Sequence, residues 1–160
     1  MSDASVSGDP RDAYPPSLTL LFVCTGNAGR SQLAQAFGRR ALASRAEVLS
    51  AGVAPWPDLH PIAVDIFGEE GLDLDGHAPK SVEHYRDRRP EVVVTIGEPA
   101  RVGLPEPLRR APFYRHWDIA DPAEAPQSLV PTAFRLASVT IQRRLDLLLA
   151  ELRELGWLKS

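Results

Sequence analysis

Four short apolar segments that alternate with helix-like segments constrain the fold of this 160-residue chain most strongly. The segments are SLTLLFV (17–23), AEVLSAG (46–52), EVVVTIG (91–97) and FYRHWDI (113–119). The first is dense in Leu, Phe and Val and is followed by a glycine-containing loop, which is typical of a strand buried on both faces. The third has three consecutive valines, which also indicate a strand. The alternation predicts an α/β fold in which a four-stranded parallel sheet with right-handed crossovers is flanked by helices.

Three helices are predicted between and after these strands. The segment SQLAQAFGRRALAS (31–44) places its apolar residues at helical spacing. The segment HPIAVDIFGEEG (60–71) has Pro61 near its first turn and Gly71 at its end, which are residue types that begin and end helices. From Pro131 onward an apolar stripe predicts a long amphipathic helix. The stripe consists of Phe134, Ala137, Ile141, Leu145, Leu148, Leu149 and Leu152.

The length and the absence of internal repeats predict one domain over residues 17–160, preceded by a flexible tail over residues 1–16. The tail has neither a basic start nor an apolar block, so it does not resemble a secretory signal. No apolar run approaches the roughly 20 residues that span a bilayer. The net charge of −3 gives no general attraction to nucleic acid or anionic lipid, so neither is expected as a partner. A single cysteine, Cys24, cannot form an intramolecular disulfide, which favours a reduced, cytoplasmic protein.

The segment LFVCTGNAGRSQ (21–32) has the composition of an anion-binding loop. Cys24 lies at the carboxyl end of a predicted parallel strand, where ligands collect in open α/β sheets. The loop then enters a helix, so its backbone N–H groups can converge on an anion at the positive end of the helix dipole. Gly26, Gly29 and Asn27 are residue types that tolerate left-handed or crowded backbone.

Cys24 and Arg30 are the candidates for chemistry in this loop. The loop amides, the helix dipole and the Arg30 guanidinium would stabilise a thiolate, which makes Cys24 a candidate nucleophile. The planar fork of Arg30 suits bidentate contact with a tetrahedral oxyanion. A lone cysteine at a strand end is more often a small buried apolar residue. The neighbouring glycines, asparagine and arginine favour the catalytic interpretation, because a structural cysteine requires none of them.

The sequence VCTGNAGRSQLAQA (23–36) resembles the active-site loop of the low-molecular-weight protein tyrosine phosphatase superfamily, which includes the thiol-dependent arsenate reductases. The pattern of a strand, a cysteine, five residues, an arginine and a serine is highly specific. The resemblance continues through SAG (50–52), HPIAVDIFGEEGLDLDGHAPKS (60–81), VVVTIG (92–97) and HWDIADPAEA (116–125). It implies an enzyme with the three-layer, Rossmann-like fold of the low-molecular-weight phosphatases.

The resemblance also implies roles for individual residues. Cys24 would be the nucleophile, Asn27 would hold the shape of the loop, and Ser31 would donate its hydroxyl to the cysteine sulfur. Asp121 matches the aspartate that protonates the leaving oxygen, while an Asp-Pro pair is also typical of a plain turn or a helix cap. The residues that would bind the oxyanion are Thr25, Gly26, Asn27, Ala28, Gly29, Arg30 and Ser31.

Two activities share this chemistry, and departures from the family pattern favour one of them. A phosphatase would hydrolyse phosphomonoesters through a phospho-cysteine. Ala28 and Ala123 stand where the phosphatases tend to have a larger apolar residue and a tyrosine, so a rim with little aromatic surface is expected. Trp56 is the exception, and it either lines the mouth, as its segment does in phosphatases, or covers the core. The sequences NAGRSQ, HPIAVDIFGEEGLD and HWDIADPA resemble the arsenate reductase branch, which is the preferred hypothesis.

Arsenate reduction requires further thiols, and this chain has one cysteine. The thioredoxin-coupled members of the family carry two more cysteines, whereas here Gly29 precedes Arg30, and Ile96 and Gly97 stand where a resolving cysteine is expected. The second thiol must then come from outside the chain. The sequence resembles single-cysteine members that hold no bound cofactor and use a mycothiol-, bacillithiol- or glutathione-like thiol with a glutaredoxin-like redox partner.

A non-catalytic module that binds or senses an oxyanion is a third hypothesis. The presence of both Cys24 and Asp121 argues against it, because binding alone requires neither residue. The histidines have no metal-ligand spacing, so capping, packing or surface positions are expected for them, and no metal site. They are His60, His77, His84 and His116.

Overall fold

The computed structural model describes residues 18–159 and contains the four predicted strands. They are β1 (Leu18–Cys24), β2 (Ala46–Gly52), β3 (Val92–Ile96) and β4 (Phe113–Trp117). Neighbouring strands are parallel, and their order in the sheet is β2-β1-β3-β4. The predicted four-stranded parallel sheet is therefore confirmed. The tail predicted over residues 1–16 lies outside the described residues.

Helices connect the strands and follow the last of them. They are α1 (Arg30–Leu42), α2 (Pro61–Glu70), α3 (Glu98–Gly103), α4 (Glu106–Arg109) and α5 (Val130–Glu154). The helices α1, α2 and α5 are the three that the sequence predicts. The helices α3 and α4 were not predicted, because segments of 6 and 4 residues are too short to carry a helical period.

Two apolar cores lie on opposite faces of the sheet, and β1 contributes to both because its side chains alternate. Leu20 and Phe22 belong to the core shared with α1, α2 and α5. Leu21 and Val23 belong to the core shared with α3 and α4. All four side chains are fully buried, and each such burial contributes about 1.5–3 kcal/mol. The strand that ends at Cys24 is thus firmly anchored on both faces.

The helices α2 and α5 have the predicted ends and faces. Pro61 is the first residue of α2, and Gly71 ends it in the left-handed conformation with a φ of 67°. Every residue of the predicted apolar stripe of α5 is buried. The helix α5 packs on α1 and so supports the helix that follows the anion-loop candidate. No helix in the described part of the chain is long and apolar enough to cross a membrane.

The strand order creates a crevice at the carboxyl ends of β1 and β3. In the sheet, β2 lies next to β1 on one edge of that strand, and β3, which follows β2 in the sequence, lies next to β1 on its other edge. The connections after β1 and β3 therefore leave the sheet in different directions and open a space between them. Cys24 is the last residue of β1, and Gly97 directly follows β3.

Candidate active site

The loop 25–29 between β1 and α1 turns its carbonyl groups away from the crevice. Amides of residues 53–60 bind three of these carbonyls and the preceding carbonyl of Cys24 at N···O distances of 2.8–3.1 Å, in the pairs Val53 to Cys24, Ala54 to Thr25, Trp56 to Gly26 and His60 to Ala28. Within the described residues, the amides of Gly26, Ala28 and Gly29 donate to no protein acceptor. A loop whose carbonyls are engaged on one side presents its N–H groups on the other, and such converging N–H groups bind anions.

Asn27 holds the loop in this shape. Its φ of 52° lies in the left-handed region, and its side chain is fully buried. The Oδ1 atom accepts from the Lys80 amide at 2.9 Å and from Gln32 Nε2 at 3.1 Å. The Nδ2 atom donates to Ser31 Oγ at 2.7 Å and to Ser50 Oγ at 3.0 Å. All four hydrogen bonds available to an amide side chain are formed, and they offset the cost of the left-handed backbone.

The Cys24 thiol lies at the base of the loop and is 2% exposed. Its Sγ atom is 2.9 Å from Ser31 Oγ and accepts from the Asn27 amide at 3.2 Å. Ser31 Oγ accepts a hydrogen from Asn27 Nδ2, and its own hydrogen has two acceptors in reach, of which the sulfur at 2.9 Å is nearer than the Ala51 carbonyl at 3.5 Å. Two hydrogen-bond donors thus face Cys24 Sγ, which is the arrangement that stabilises a thiolate.

Arg30 reaches across the floor of the crevice and is 4% exposed. Its Nη1 atom donates to the Ile119 carbonyl at 2.6 Å, and its Nη2 atom lies 3.7 Å from Asp121 Oδ2 and 3.5 Å from Thr25 Oγ1. These contacts fix the plane of the guanidinium beside the loop amides. A buried, oriented guanidinium of this kind suits bidentate contact with a tetrahedral oxyanion.

Asp121 uses its two carboxylate oxygens for different contacts. Oδ1 accepts from the Ala123 amide at 2.9 Å and caps the short turn 122–124, as the plain-turn interpretation predicts. Oδ2 faces Arg30 across the crevice. The side chain is 25% exposed, so it can exchange protons with solvent while it faces a bound ligand. Asp121 can therefore cap the turn with one oxygen and still present the other oxygen as the predicted acid.

A pocket above Cys24 brings the three candidate residues together. It is lined by Cys24, Gly26, Ala28, Gly29, Arg30, Trp56, His60, Asp121, Ala123 and Phe134. Ala28 and Ala123 line the pocket as expected, but the rings of His60 and Phe134 lie beside Trp56, so the pocket has an aromatic wall that the sequence did not predict in full. The ring centroids of Trp56 and His60 are 5.9 Å apart, and those of His60 and Phe134 are 4.4 Å apart. Trp56 is 42% exposed, so it lines the mouth rather than covering the core.

His60 has a second function besides the predicted capping. Its Nδ1 atom accepts from the Ile62 amide at 3.1 Å and caps α2. Burial lowers the pKa of His60 from its usual value of 6.5, and the Asp121 carboxylate opposes this shift. The neutral ring therefore carries its hydrogen on Nε2 and offers a donor at the mouth of the pocket.

The remaining histidines lie outside the pocket lining. His77 Nδ1 is 2.7 Å from Gln32 Oε1, and His116 Nδ1 is 2.7 Å from Thr95 Oγ1. His84 is exposed and packs edge-on against Tyr85. Among residues 18–159 no three side chains of His, Cys, Asp or Glu are grouped as metal ligands would be.

Gly97→Ala is expected to weaken phosphate binding about 10- to 100-fold, since a hydrogen bond to a charged group contributes about 1.5–3 kcal/mol. A Cβ atom at Gly97 would lie 2.6 Å from Arg30 Nη1, and the φ of 85° disfavours any side chain, so the guanidinium would be displaced. Isothermal titration with phosphate measures the change. Gly68→Ala is the matched control, because a Cβ atom there meets nothing within 4 Å. Unchanged phosphate affinity in folded Gly97→Ala would contradict the assignment of Arg30.

His77 is expected to make the folded protein less stable as the pH falls from about 6.5 to about 4. Burial, with the charges of Arg39 and Lys80, lowers the pKa of His77 from 6.5 to about 4. Between these values the unfolded chain takes up a proton that the folded chain does not, so the free energy of unfolding decreases with decreasing pH. Urea unfolding at pH 7 and pH 5 measures this change. His77→Gln should have a smaller decrease, and an equal decrease in both proteins would refute the prediction.

Comparison with known proteins gives consistent matches. The model of the family "Low molecular weight phosphotyrosine protein phosphatase" matches residues 19–156. The chain is 33% identical over 110 residues to an arsenate reductase of Staphylococcus aureus (strain Newman), and the match covers 69% of this chain and 82% of that protein.

Two solved structures have similar folds. A thioredoxin-dependent arsenate reductase of Corynebacterium glutamicum is 28% identical with a TM-score of 0.70, and the match covers 86% of this chain but 63% of that longer chain. An arsenate reductase in the phosphate binding state is 25% identical with a TM-score of 0.70, and the match covers 84% of this chain and 98% of that chain. These neighbours agree with the predicted three-layer α/β fold.

Proposed function

The chain belongs to the low molecular weight phosphotyrosine protein phosphatase family, and we propose that it is an arsenate reductase of that family that takes its reducing equivalents from thiols outside the chain. The observation that carries the proposal is the convergence of Cys24 Sγ, the loop amides and the Arg30 guanidinium on one pocket. The 33% identity to an arsenate reductase favours arsenate over a phosphoester as the substrate.

In the first step the pocket binds arsenate and Cys24 attacks the arsenic. The loop amides and Arg30 hold the arsenate oxygens, and Ser31 supports the thiolate before attack. An S–As bond forms and an As–O bond breaks while the leaving oxygen takes a proton from Asp121. The products are an arsenic(V) adduct on Cys24 and one water molecule, so no electron has yet been transferred to arsenic.

Reduction of the adduct requires two external thiols because the chain contains one cysteine. The side of Sγ opposite the pocket is closed by Ser31 and the Asn27 amide, so an external thiolate reaches the arsenic rather than the cysteine sulfur. Its attack forms a new S–As bond, and Cys24 leaves as the thiolate. A second thiol then attacks the sulfur bound to arsenic, a disulfide forms, and the electron pair of the S–As bond stays on arsenic. In sum, arsenate and two thiols give arsenite, one disulfide and water.

The source of these thiols is proposed to be a small thiol together with a glutaredoxin-like protein. The Corynebacterium neighbour is thioredoxin-dependent. Thioredoxin reduces disulfides, and this chain has no second cysteine with which to form one. A mycothiol-, bacillithiol- or glutathione-like thiol can reach the pocket without an internal disulfide.

Phosphatase activity is the second candidate, and the exposed Trp56 at the pocket mouth favours it. A phenyl ring of an aryl phosphate can pack on this side chain, and the attack by Cys24 with protonation by Asp121 would be the same. Water would then release phosphate from the phospho-cysteine without any thiol. A purely binding or sensing role requires neither Cys24 nor Asp121 and is therefore not favoured.

A side-by-side assay distinguishes these functions. The purified protein is given arsenate or an aryl phosphate, each with and without a small thiol and a glutaredoxin-type protein. The proposal predicts thiol-dependent arsenite formation and slow, thiol-independent hydrolysis of the aryl phosphate. Aryl phosphate hydrolysis with a kcat of about 1 s⁻¹ or more, without arsenite under any condition, would identify a phosphatase instead.

A further inference from the structure

Two surface grooves open beside the mouth of the catalytic pocket, and they differ in charge. The first, called here the neutral groove, is lined by His60, Ile62, Ala123, Ala125, Gln127 and Val130, and by the adjacent Pro131. The second, called here the acidic groove, contains the carboxylates of Asp118, Asp121 and Glu124. A molecule larger than a few atoms that reaches arsenic above Cys24 can extend along either of them.

The neutral groove adjoins the catalytic pocket. His60 and Ala123 line both, so the groove lies directly beside the space above Cys24. None of the groove residues is a lysine, arginine, aspartate or glutamate. Burial lowers the pKa of His60 below 6.5, so its ring is uncharged at neutral pH.

The polar groups in the neutral groove are hydrogen-bonding groups without charge. His60 Nδ1 accepts from the Ile62 amide, which leaves Nε2–H as a donor. The Gln127 side chain is exposed and supplies both an acceptor and donors. Ile62 and Val130 add apolar surface between them. This combination suits hydroxyl and amide groups on a short carbon skeleton.

Neither groove is lined by a positively charged side chain that could bind a carboxylate on an incoming molecule. The acidic groove repels it, and no lysine or arginine lines the neutral groove to replace the lost hydration. Arg135 Nη1 lies 3.4 Å from the Pro131 carbonyl beside the neutral groove, but Arg135 Nη2 is paired with Glu69 Oε2 at 2.6 Å, which offsets its charge. Arg30 lines the catalytic pocket, and its contacts with Ile119 and Asp121 hold it on the floor.

We propose that the neutral groove binds the body of the external thiol and that it selects an uncharged, hydroxyl- or amide-bearing thiol over a thiol that carries carboxylates. The inference rests on the proposed arsenate reductase function and adds the position and the chemical class of the co-substrate. In the first transfer, the thiolate of the bound molecule forms its bond to arsenic, the S–As bond to Cys24 breaks, and the electron pair returns to Cys24.

The test compares two small thiols as reductants of the arsenic adduct. 1-Thioglycerol is uncharged and carries hydroxyls, whereas mercaptosuccinate carries two carboxylates. The kcat/KM of arsenite formation is measured for each, at equal concentrations of thiolate and with the same glutaredoxin-type protein present. The wild-type protein is expected to favour 1-thioglycerol, and Gln127→Lys should shift the ratio toward mercaptosuccinate by about five- to tenfold, the effect of one nearby opposite charge in a solvated site.

Gln142→Lys is the matched control, since it adds the same charge on α5 and lines neither groove. It should leave the ratio of the kcat/KM values for 1-thioglycerol and mercaptosuccinate, called here the thiol ratio, unchanged. A wild-type preference for mercaptosuccinate, or a thiol ratio that Gln127→Lys does not alter, would overturn the groove assignment and leave the reductase function standing. Failure of both thiols to give arsenite would overturn the function and the groove assignment together.

Discussion

Cys24→Ser is expected to lower the rate of arsenite formation by about 10⁴-fold or more, the scale of loss on removal of a catalytic nucleophile. A serine hydroxyl fits the same site, but it remains protonated and cannot form the S–As bond. The loop amides and Arg30 are unchanged by the substitution, so phosphate should bind with nearly wild-type affinity. Arsenite formation and isothermal titration with phosphate measure the two effects separately.

Ser31→Ala provides a graded control for this prediction. It removes the hydroxyl 2.9 Å from Cys24 Sγ but keeps the sulfur, so the rate should fall by about 10- to 100-fold, the effect of one hydrogen bond to a charged group. Activity of Cys24→Ser within tenfold of wild type would show that the reaction does not proceed through the thiol. Loss of phosphate binding in Cys24→Ser would instead indicate that the cysteine is structural.

Asp121→Asn is expected to slow the chemical step by about 10²- to 10⁴-fold, because a general acid acts in the transition state. Asparagine retains the Oδ1 acceptor, so the bond from the Ala123 amide and the turn 122–124 should persist. Binding of phosphate should be unchanged or somewhat stronger, since a negative charge 3.7 Å from Arg30 is removed. Single-turnover rates and phosphate titration give the two quantities.

Asp118→Asn is the corresponding control. Asp118 is exposed and lies in the acidic groove, but it does not line the catalytic pocket. Its substitution should change neither the rate nor the binding of phosphate. Equal losses in rate and in binding for Asp121→Asn would mean that Asp121 maintains structure rather than supplying a proton.

The parts of the site that could be predicted are those that lie within one short stretch of sequence. A strand, a glycine-containing loop and a helix follow one another directly around Cys24, so local patterns identify the loop and its orientation. Arg30 belongs to the same stretch. Asp121 lies far along the chain, and only the family resemblance connected it with Cys24.

The aromatic wall could not be predicted, because it depends on how separate elements pack. Phe134 belongs to an apolar stripe that predicts a core position, and it does lie in the core, but its ring also contacts the loop at Gly29. His60 was predicted as a capping, packing or surface residue, and its position between Trp56 and Phe134 follows from the path of residues 53–60 along the loop. No periodic pattern records such contacts.

The polar network around Asn27 is a second feature that sequence patterns do not reveal. Gln32 and Ser50 are fully buried, although their residue types usually lie at the surface. They bind Asn27 from α1 and β2, and Lys80 binds it through its backbone amide. The role of Gly97 could not be predicted either. In the sequence it stands where thioredoxin-coupled members of the family have a resolving cysteine, whereas in the structure the Arg30 guanidinium occupies the space that a side chain at Gly97 would need.

The most direct test of the proposed function is arsenic speciation in a single turnover. Reduced protein is mixed with an equimolar amount of arsenate, and arsenate and arsenite are separated and quantified after quenching. Almost no arsenite is expected with the protein alone, or with thioredoxin and its reductase added, because Cys24 forms only the arsenic(V) adduct and the chain has no second cysteine with which to reduce it. Arsenite should approach one equivalent when a small thiol and a glutaredoxin-type protein are added. Arsenite formation with thioredoxin as the only added thiol, or its absence with every small thiol, would contradict the account.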